Sequence, residues 1–186
     1  MPEPAGEFLS GRTARATARR AVDLIGALLF EETSAESVRQ VLLSHGEREP
    51  LELAAADIVR LRATARELLP VFGAAGADEA ARVLNSLLAR ACPPRLTSHG
   101  GSHAWHLHVD STDDAPMDEW ILTSSSLALA VLLAERQQVP GGLCASPRCG
   151  RPFVDTGSGG PRRYCSARCA TRERVAAHRR EGGGPR

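Results

Sequence analysis

Residues 144–149 read CASPRC and residues 162–172 read RRYCSARCATR, so four of the five cysteines of this 186-residue chain lie within 26 residues. Their spacing is C-x4-C-x15-C-x3-C. Structural zinc sites consist of four cysteine or histidine ligands in a tetrahedron, and two closely spaced pairs supply such a set. We therefore predict that the chain binds one zinc ion. The predicted ligands are Cys144, Cys149, Cys165 and Cys169.

The two cysteine pairs are predicted to lie in different local structures. Pro147 lies inside the first pair and Gly150 follows it directly, which favours a tight knuckle that turns both sulfurs inward. Ser166 is a favourable N-cap residue and residues 167–180 are compatible with a helix, so Cys169 is expected in the first helical turn. This arrangement is typical of treble-clef-like zinc fingers. Four thiolates leave no coordination position for water, so the ion is expected to be structural.

Disulfide bonds and free thiols are the alternatives for these cysteines. The start of the chain is rich in arginine but shows no hydrophobic region of a signal peptide, so we expect a cytoplasmic protein. A reducing compartment disfavours disulfides. Cys92 lies far from the other four and is expected to be a buried, unreactive thiol. His178 follows Cys169 by about two and a half helical turns and is expected to face solvent or phosphate rather than the metal.

The rest of the chain is predicted to be mainly helical. Hydrophobic residues make up 42% of the chain but aromatic residues only 4%, so the core should consist of leucine, valine, isoleucine and alanine. Ser34 is predicted to cap a short helix, Pro70 to end a longer one, Asp78 to open the next, and Pro116 to lie in the first turn of the last. Apolar residues recur at helical spacing in segments 13–30, 34–42, 53–69, 78–88 and 116–133.

A short region between these helices is predicted to be a β-hairpin, with strands at 95–98 and 103–110 joined by a Gly100-Gly101 turn. Alternation would place His106 and His108 on one strand face. Two further histidines flank the turn, and the four together could form a second metal site. A solvated strand face explains them equally well, because no carboxylate or cysteine stands at a supporting spacing. These histidines are His99, His103, His106 and His108.

The net charge of +1 hides an uneven distribution. Residues 144–186 contain ten arginines and three acidic residues, a net charge of +7, whereas residues 1–143 carry a net charge of −6. This division suggests two parts with different partners. We assign residues 1–139 to a helical regulator domain, 143–180 to the zinc finger and 181–186 to a disordered tail, with Val139-Pro140-Gly141-Gly142 as the linker. The predicted fold class is mainly α (α+β).

The basic residues around the second cysteine pair are candidates for nucleic-acid binding. Arg168 would lie in the first turn of its helix, where the helix dipole favours anions, so its position suggests an external phosphate. Two alternatives remain open, namely that the arginines only offset the charge of the thiolates, or that they bind an acidic protein. The candidate nucleic-acid-binding residues are Arg162, Arg163, Arg168, Arg172, Arg174, His178, Arg179 and Arg180.

The cysteine-containing segment resembles the CGNR zinc finger family, which is named for a Cys-Gly-Asn-Arg tetrapeptide. Cys169 and Arg172 keep that motif, whereas Ala170 and Thr171 replace its Gly and Asn, and residues 157–159 differ from the family's usual Ser-Arg-Asn. The resemblance is carried by Cys144-x4-Cys149-Gly150-x2-Phe153-Val154-Asp155-Thr156, by Arg162-Arg163-Tyr164-Cys165-Ser166 and by Cys169-Ala170-Thr171-Arg172.

The preceding 140 or so residues are similar to the ABATE-type, stress-induced transcription regulator domain that accompanies this finger. The similarity rests on the Leu84-Asn85-x2-Leu88 stretch and on a late hairpin followed by a helix. The two resemblances together imply a bacterial DNA-binding transcription regulator with a stress-related role.

We expect no enzyme, because the sequence contains no nucleophile elbow, phosphate-binding loop or dinucleotide fingerprint. No uninterrupted apolar run approaches the roughly 20 residues that span a bilayer, so no membrane partner is expected. The expected partners are DNA, a second copy of the chain bound through the helical domain, and a small-molecule effector. The alternatives are a zinc-stabilised module that docks an acidic protein and a ligand-sensing helical domain.

Overall fold

The computed structural model describes residues 11–155 and 162–182, and in these ranges the protein is mainly helical, as predicted. Both small sheets are antiparallel pairs, β1 with β2 and β3 with β4. The helices are α1 Gly11–Leu29, α2 Ala35–Ser44, α3 Ala55–Gly73, α4 Ala77–Leu88, α5 Met117–Arg136 and α6 Ala167–Gly182; the strands are β1 Arg95–Thr97, β2 His106–His108, β3 Gly141–Leu143 and β4 Pro152–Val154.

The core of the helical part surrounds α5, which packs against α1, α3 and α4. Its largest fully buried side chains are aliphatic, as the composition predicts; they include Leu24, Ile25, Leu68, Leu84, Leu129 and Leu132. Burial of one such side chain contributes about 1.5–3 kcal/mol. The apolar faces predicted from helical spacing therefore meet in one core.

Helix α5 is also long and apolar enough, by length and composition alone, to cross a membrane. The expectation drawn from uninterrupted apolar runs missed this, because polar residues such as Ser125 and Ser126 divide the helix. In this structure 44% of the apolar stretch of α5 is buried inside the protein, and both serines are fully buried. A central core helix meets the same criteria, so the absence of a membrane partner stays a prediction.

The observed helix boundaries confirm some of the helix ends predicted from the sequence and contradict others. Ser34 caps α2 as predicted, since its Oγ accepts a hydrogen bond of 3.0 Å from the backbone N–H of Ser37. The prediction that Pro70 ends its helix was wrong, because α3 continues to Gly73. A proline in the last turn costs few backbone hydrogen bonds, and the continuation buries Val71 and Phe72 in the core. Helix α4 begins at Ala77, one residue before the predicted start.

The first hairpin forms as predicted, but its strands are shorter. Thr97 pairs with His106 and Arg95 with His108. Residues 98–105 form the connection, in which the N–H of His103 donates to the carbonyl of Ser98 at 3.0 Å. The second strand therefore begins three residues later than predicted.

The segment predicted to be a linker is part of a second hairpin, so that prediction was wrong. Gly141 pairs with Val154, and Pro140 is fully buried. Val154 is 5% exposed and belongs to the helical core, where β4 contacts α1. The zinc finger has too few apolar residues for a core of its own, and its hairpin shares the core of the helices instead.

Polar contacts reinforce this junction. Arg151 Nη1 lies 2.5 Å from Glu31 Oε1, just beyond the end of α1. Arg136, at the end of α5, donates to the carbonyl of Asp155. The division into domains 1–139 and 143–180 stays a prediction. Helix α6 runs to Gly182, two residues into the predicted tail, and residues 183–186 lie outside the described ranges.

We expect Gly141→Ala to lower the free energy of unfolding by about 1–3 kcal/mol. A Cβ atom at Gly141 would lie 1.8 Å from the carbonyl oxygen of Phe153, and this backbone atom cannot move away without opening the hairpin. Denaturant-induced unfolding followed by circular dichroism measures the effect. Gly76→Ala is the control, because no atom lies within 4 Å of the added Cβ. Equal stability of the two variants would contradict the pairing of β3 with β4.

Candidate metal centre

The first cysteine pair lies on a tight knuckle at the end of the β3–β4 hairpin, as predicted. The N–H of Cys144 donates to the carbonyl of Arg151 at 2.8 Å, and the N–H of Cys149 donates to the carbonyl of Ser146 at 2.9 Å. Gly150 has φ +65°, in the left-handed region that favours glycine. This turn directs both sulfurs to the same side of the hairpin.

The second pair lies at the start of α6, also as predicted. The hydroxyl of Ser166 accepts a hydrogen bond of 3.3 Å from the N–H of Cys169, which places Cys169 in the first helical turn. The N–H of Ala145 donates to the carbonyl of Arg163 at 2.8 Å and joins the knuckle to the chain before Cys165. Backbone contacts thus hold the two pairs together.

The four sulfur atoms lie within 4.8 Å of one another. The sulfur of Cys165 is 3.6 Å from that of Cys149 and 3.7 Å from that of Cys169. A tetrahedron with zinc–sulfur bonds of about 2.3 Å has edges of about 3.8 Å, so the thiols fit a zinc ion. All four are free thiols and none is paired in a disulfide. Cys92 is also free and only partly buried, rather than buried as predicted.

The electrostatics of the thiol cluster favour a bound cation. Hydrogen bonding, first by Ser166, lowers the pKa of the Cys169 thiol to about 7. Burial raises the pKa of the neighbouring Cys165 thiol to about 12. The Cys169 thiolate therefore forms readily, and a divalent cation beside the sulfur of Cys165 would favour ionisation of that thiol. Because the metal displaces protons, zinc affinity should fall as the pH falls.

A polar network that the sequence reasoning missed surrounds the site. Arg172 Nη2 donates to the sulfur of Cys169 at 3.2 Å and to the hydroxyl of Ser146 at 2.8 Å. The same hydroxyl donates to a carboxylate oxygen of Glu173 at 2.6 Å, and Ser146 is only 2% exposed. Helix α6 is thereby fastened to the knuckle. The three-residue spacing of Cys169 and Arg172, which puts both on one helix face, was a signal for this contact.

Arg162 is a second arginine that contacts the finger itself. Its Nη2 donates to the carbonyl of Cys165 at 2.9 Å, and its guanidinium lies 5.3 Å from the centre of the Phe153 ring. The guanidinium of Arg163 lies 5.9 Å from the centre of the Tyr164 ring. Arg172 therefore offsets charge beside a ligand sulfur, which was one of the alternatives for the basic residues, whereas Arg162 supports the backbone of a ligand residue.

The other predicted nucleic-acid-binding residues lie on α6 and are exposed. His178 is outside the group of four sulfurs, in agreement with its expected orientation. Whether this surface binds nucleic acid stays a prediction. The exposed residues are Arg168, Arg174, His178, Arg179 and Arg180.

We expect Arg172→Ala to weaken zinc binding about 10- to 100-fold, the usual effect of losing a group that supports a metal ligand. The substitution removes the hydrogen bond to the Cys169 sulfur and the cation beside the thiolates. Competition with a chromophoric zinc chelator measures the affinity. Arg168→Ala removes the same charge from the same helix without touching a sulfur, and should leave zinc affinity within about twofold. An equal loss in both variants would show that only net charge matters.

The C-terminal segment matches a known family. Residues 142–181 match the family model of the CGNR zinc finger. No curated protein matches the chain. The similarity to the ABATE-type domain stays a prediction, and residues 157–159, where the sequence departs from the usual motif, lie outside the described ranges. The match and the geometry of the four thiols together identify a zinc-binding module that holds one structural Zn²⁺.

Proposed function

We propose that the protein is a DNA-binding transcription regulator in which the zinc-stabilised finger presents α6 to the phosphate backbone. The observation that carries this proposal is the presence of exposed arginines beyond those that serve the metal site. Arg162 and Arg172 are exposed but also donate hydrogen bonds within the finger, and Arg168, Arg174 and Arg179 are further exposed arginines on α6.

The charge balance supports an external anion. Residues 144–186 carry a net charge of +7. Four thiolates with one Zn²⁺ contribute a charge of −2, which leaves about +5 on a small module. Concentrated positive charge of this kind attracts polyanions and accelerates their association. Neutralising the negative charge of the zinc site alone would need fewer arginines than the ten in residues 144–186.

The position of Arg168 indicates where a DNA phosphate would contact α6. Arg168 is exposed one residue after the start of α6, where the backbone N–H groups and the helix dipole already favour an anion. A DNA phosphate at this helix end would contact both the N–H groups and the guanidinium. The finger alone offers a small footprint, so the proposal includes a homodimer formed through the helical part.

A cavity in the helical part favours a second role, the binding of a small effector. Its volume is about 820 Å³. Arg20, in its wall, is 7% exposed, lies 3.9 Å from the centre of the Trp120 ring, and donates to the hydroxyl of Ser124 at 2.8 Å. Burial lowers the pKa of Arg20 to about 10, which still leaves it charged at neutral pH. A buried cation in the wall of a cavity suits an organic anion, which would compete with Glu47, whose Oε1 lies 3.8 Å from Arg20 Nη1.

Other expectations from the sequence stay predictions. They are the absence of enzymatic activity, the cytoplasmic location and the stress-related role.

The test is the salt dependence of binding to fluorescently labelled genomic DNA fragments, measured by anisotropy with the zinc-loaded full chain. We expect the logarithm of the association constant to fall linearly with the logarithm of salt concentration. In the double variant Arg168→Ala/Arg179→Ala the slope should drop by about 2, since each lost phosphate contact removes about one unit. Arg172 is left unchanged because it supports the zinc site.

The matched control is Arg66→Ala/Arg82→Ala, which removes two exposed arginines from α3 and α4 and changes net charge equally. It should retain the slope of the unmodified chain. No binding to DNA, or an equal loss in both double variants, would contradict the proposal. Capture of an acidic protein that survives nuclease treatment would favour the protein-docking alternative.

A further inference from the structure

The first hairpin gathers three histidines whose ring nitrogens meet at one point. His106 and His108 share one face of β2 because they stand two residues apart in a strand. His99 approaches them from the connection between the strands, with φ +48°. A positive φ is uncommon outside glycine, and such conformations concentrate at functional sites. The hairpin thus brings His99 onto the face that carries the other two.

The Nε2 atoms of these histidines are unusually close. His106 Nε2 lies 3.1 Å from His99 Nε2 and 2.9 Å from His108 Nε2. Each of the three rings has one nitrogen that lies within 4.8 Å of a nitrogen of both other rings. Three nitrogens bound to one ion at about 2.0–2.1 Å in a tetrahedron are about 3.3 Å apart. The two separations from His106 Nε2 are therefore close to those of a three-histidine metal site, and the third is at most 4.8 Å.

The opposite ring nitrogens contact oxygen atoms. His108 Nδ1 lies 2.9 Å from both carboxylate oxygens of Asp110, and His106 Nδ1 lies 2.7 Å from the carbonyl of Ala104. His99 Nδ1 is 3.7 Å from a carboxylate oxygen of Asp113. For His106 and His108, an oxygen acceptor within hydrogen-bond distance favours a proton at Nδ1, which leaves a lone pair at Nε2, although Arg95 Nη2 also lies 3.4 Å from His108 Nδ1. In metal-bound histidines, the ring nitrogen that does not bind the metal usually donates its N–H to a carboxylate, a backbone carbonyl or water.

The two carboxylates are themselves held in place. Asp110 is 2% exposed and lies 2.7 Å from Arg95 Nη2. Asp113 accepts a hydrogen bond of 2.6 Å from the hydroxyl of Thr97 and also pairs with Arg95. These contacts correct the expectation that no carboxylate supports the histidines. Asp110 stands only two residues after His108, and Asp113 reaches the site because its loop folds back onto β1.

We propose that His99, His106 and His108 bind a second divalent transition-metal ion of the zinc and cobalt class. Nε2 lone pairs directed at one another would repel, and a cation between the three rings would remove this repulsion while the carboxylates of Asp110 and Asp113 offset its charge. Imidazole is a suitable ligand for Zn²⁺ and its neighbours in the first transition series. The site is chemically different from the four-thiolate centre.

The surroundings give the ion an entry path and an open position. His99, His106 and His108 line the same cavity of about 820 Å³ that contains Arg20. Three protein ligands leave the fourth tetrahedral position for water or for an oxygen donor from the cavity. The metal would therefore join Arg20 as a second anchor for an anionic effector. This site does not depend on DNA binding by the finger.

The test is the metal content of the full chain after loading with Zn²⁺ and dialysis against metal-free buffer. We expect two zinc ions per chain in the unmodified protein and one in His106→Gln. Cys165→Ser should also reduce the content to one, through loss of the other site. His178→Gln, an exposed histidine on α6, is the matched control and should retain two. His99→Gln, in the hairpin connection, provides a second variant that decides the outcome if His106→Gln fails to fold.

Substitution with Co²⁺ identifies the ligands at each site. Co²⁺ in the histidine site should give visible bands without the sulfur-to-metal charge transfer of the thiolate site, and these bands should persist in Cys165→Ser and vanish in His106→Gln. One zinc ion per chain in the unmodified protein, with the same content in His106→Gln and His99→Gln, would overturn the proposal. That result would leave hydrogen bonds between the rings, without a metal, as the explanation of their short separations.

Discussion

Four cysteine sulfurs within 4.8 Å of one another form the contact on which the C-terminal part of the molecule depends. Thiolates at such distances repel each other, and a divalent cation between them offsets this repulsion because it attracts all four. The two pairs come from a hairpin and from the start of a helix, so the ion joins elements that share few apolar contacts. Metal binding in comparable fingers contributes on the order of 10 kcal/mol to folding. The finger gains its remaining support from the helices, because Val154 reaches their core and Arg151 pairs with Glu31.

The zinc site also determines what the arginines can do. Arg172 contacts the sulfur of Cys169 and Arg162 the carbonyl of Cys165, so both support the finger, while Arg168, Arg174 and Arg179 are exposed on α6. Helix α1 links this module to the other half of the molecule. Arg20 of α1 lines the cavity, and Glu31, just beyond its end, pairs with the finger.

Local patterns predicted the local structure well. The knuckle and the start of α6 were predicted correctly from the cysteine spacing, Gly150 and the Ser166 cap. Both structures depend on residues that are close in sequence. Contacts between distant segments were harder to foresee. The Val-Pro-Gly-Gly segment has the composition of a linker, yet its two glycines pair with Val154 and Phe153, and Val154 belongs to the helical core. The histidine cluster depends on how the connection of the first hairpin turns His99 toward β2, and alternation within one strand cannot show this.

Zinc bound by the four cysteines holds α6, with its exposed arginines, against the β3–β4 hairpin. Amide hydrogen exchange of the full chain, with and without a zinc chelator, measures whether α6 depends on the metal in this way. Zinc removal should abolish protection in α6 and in the knuckle at 144–150, while α5 in the helical core keeps its protection. Unchanged protection of α6 in the zinc-free chain would contradict the account, because the helix would then hold its position without the metal.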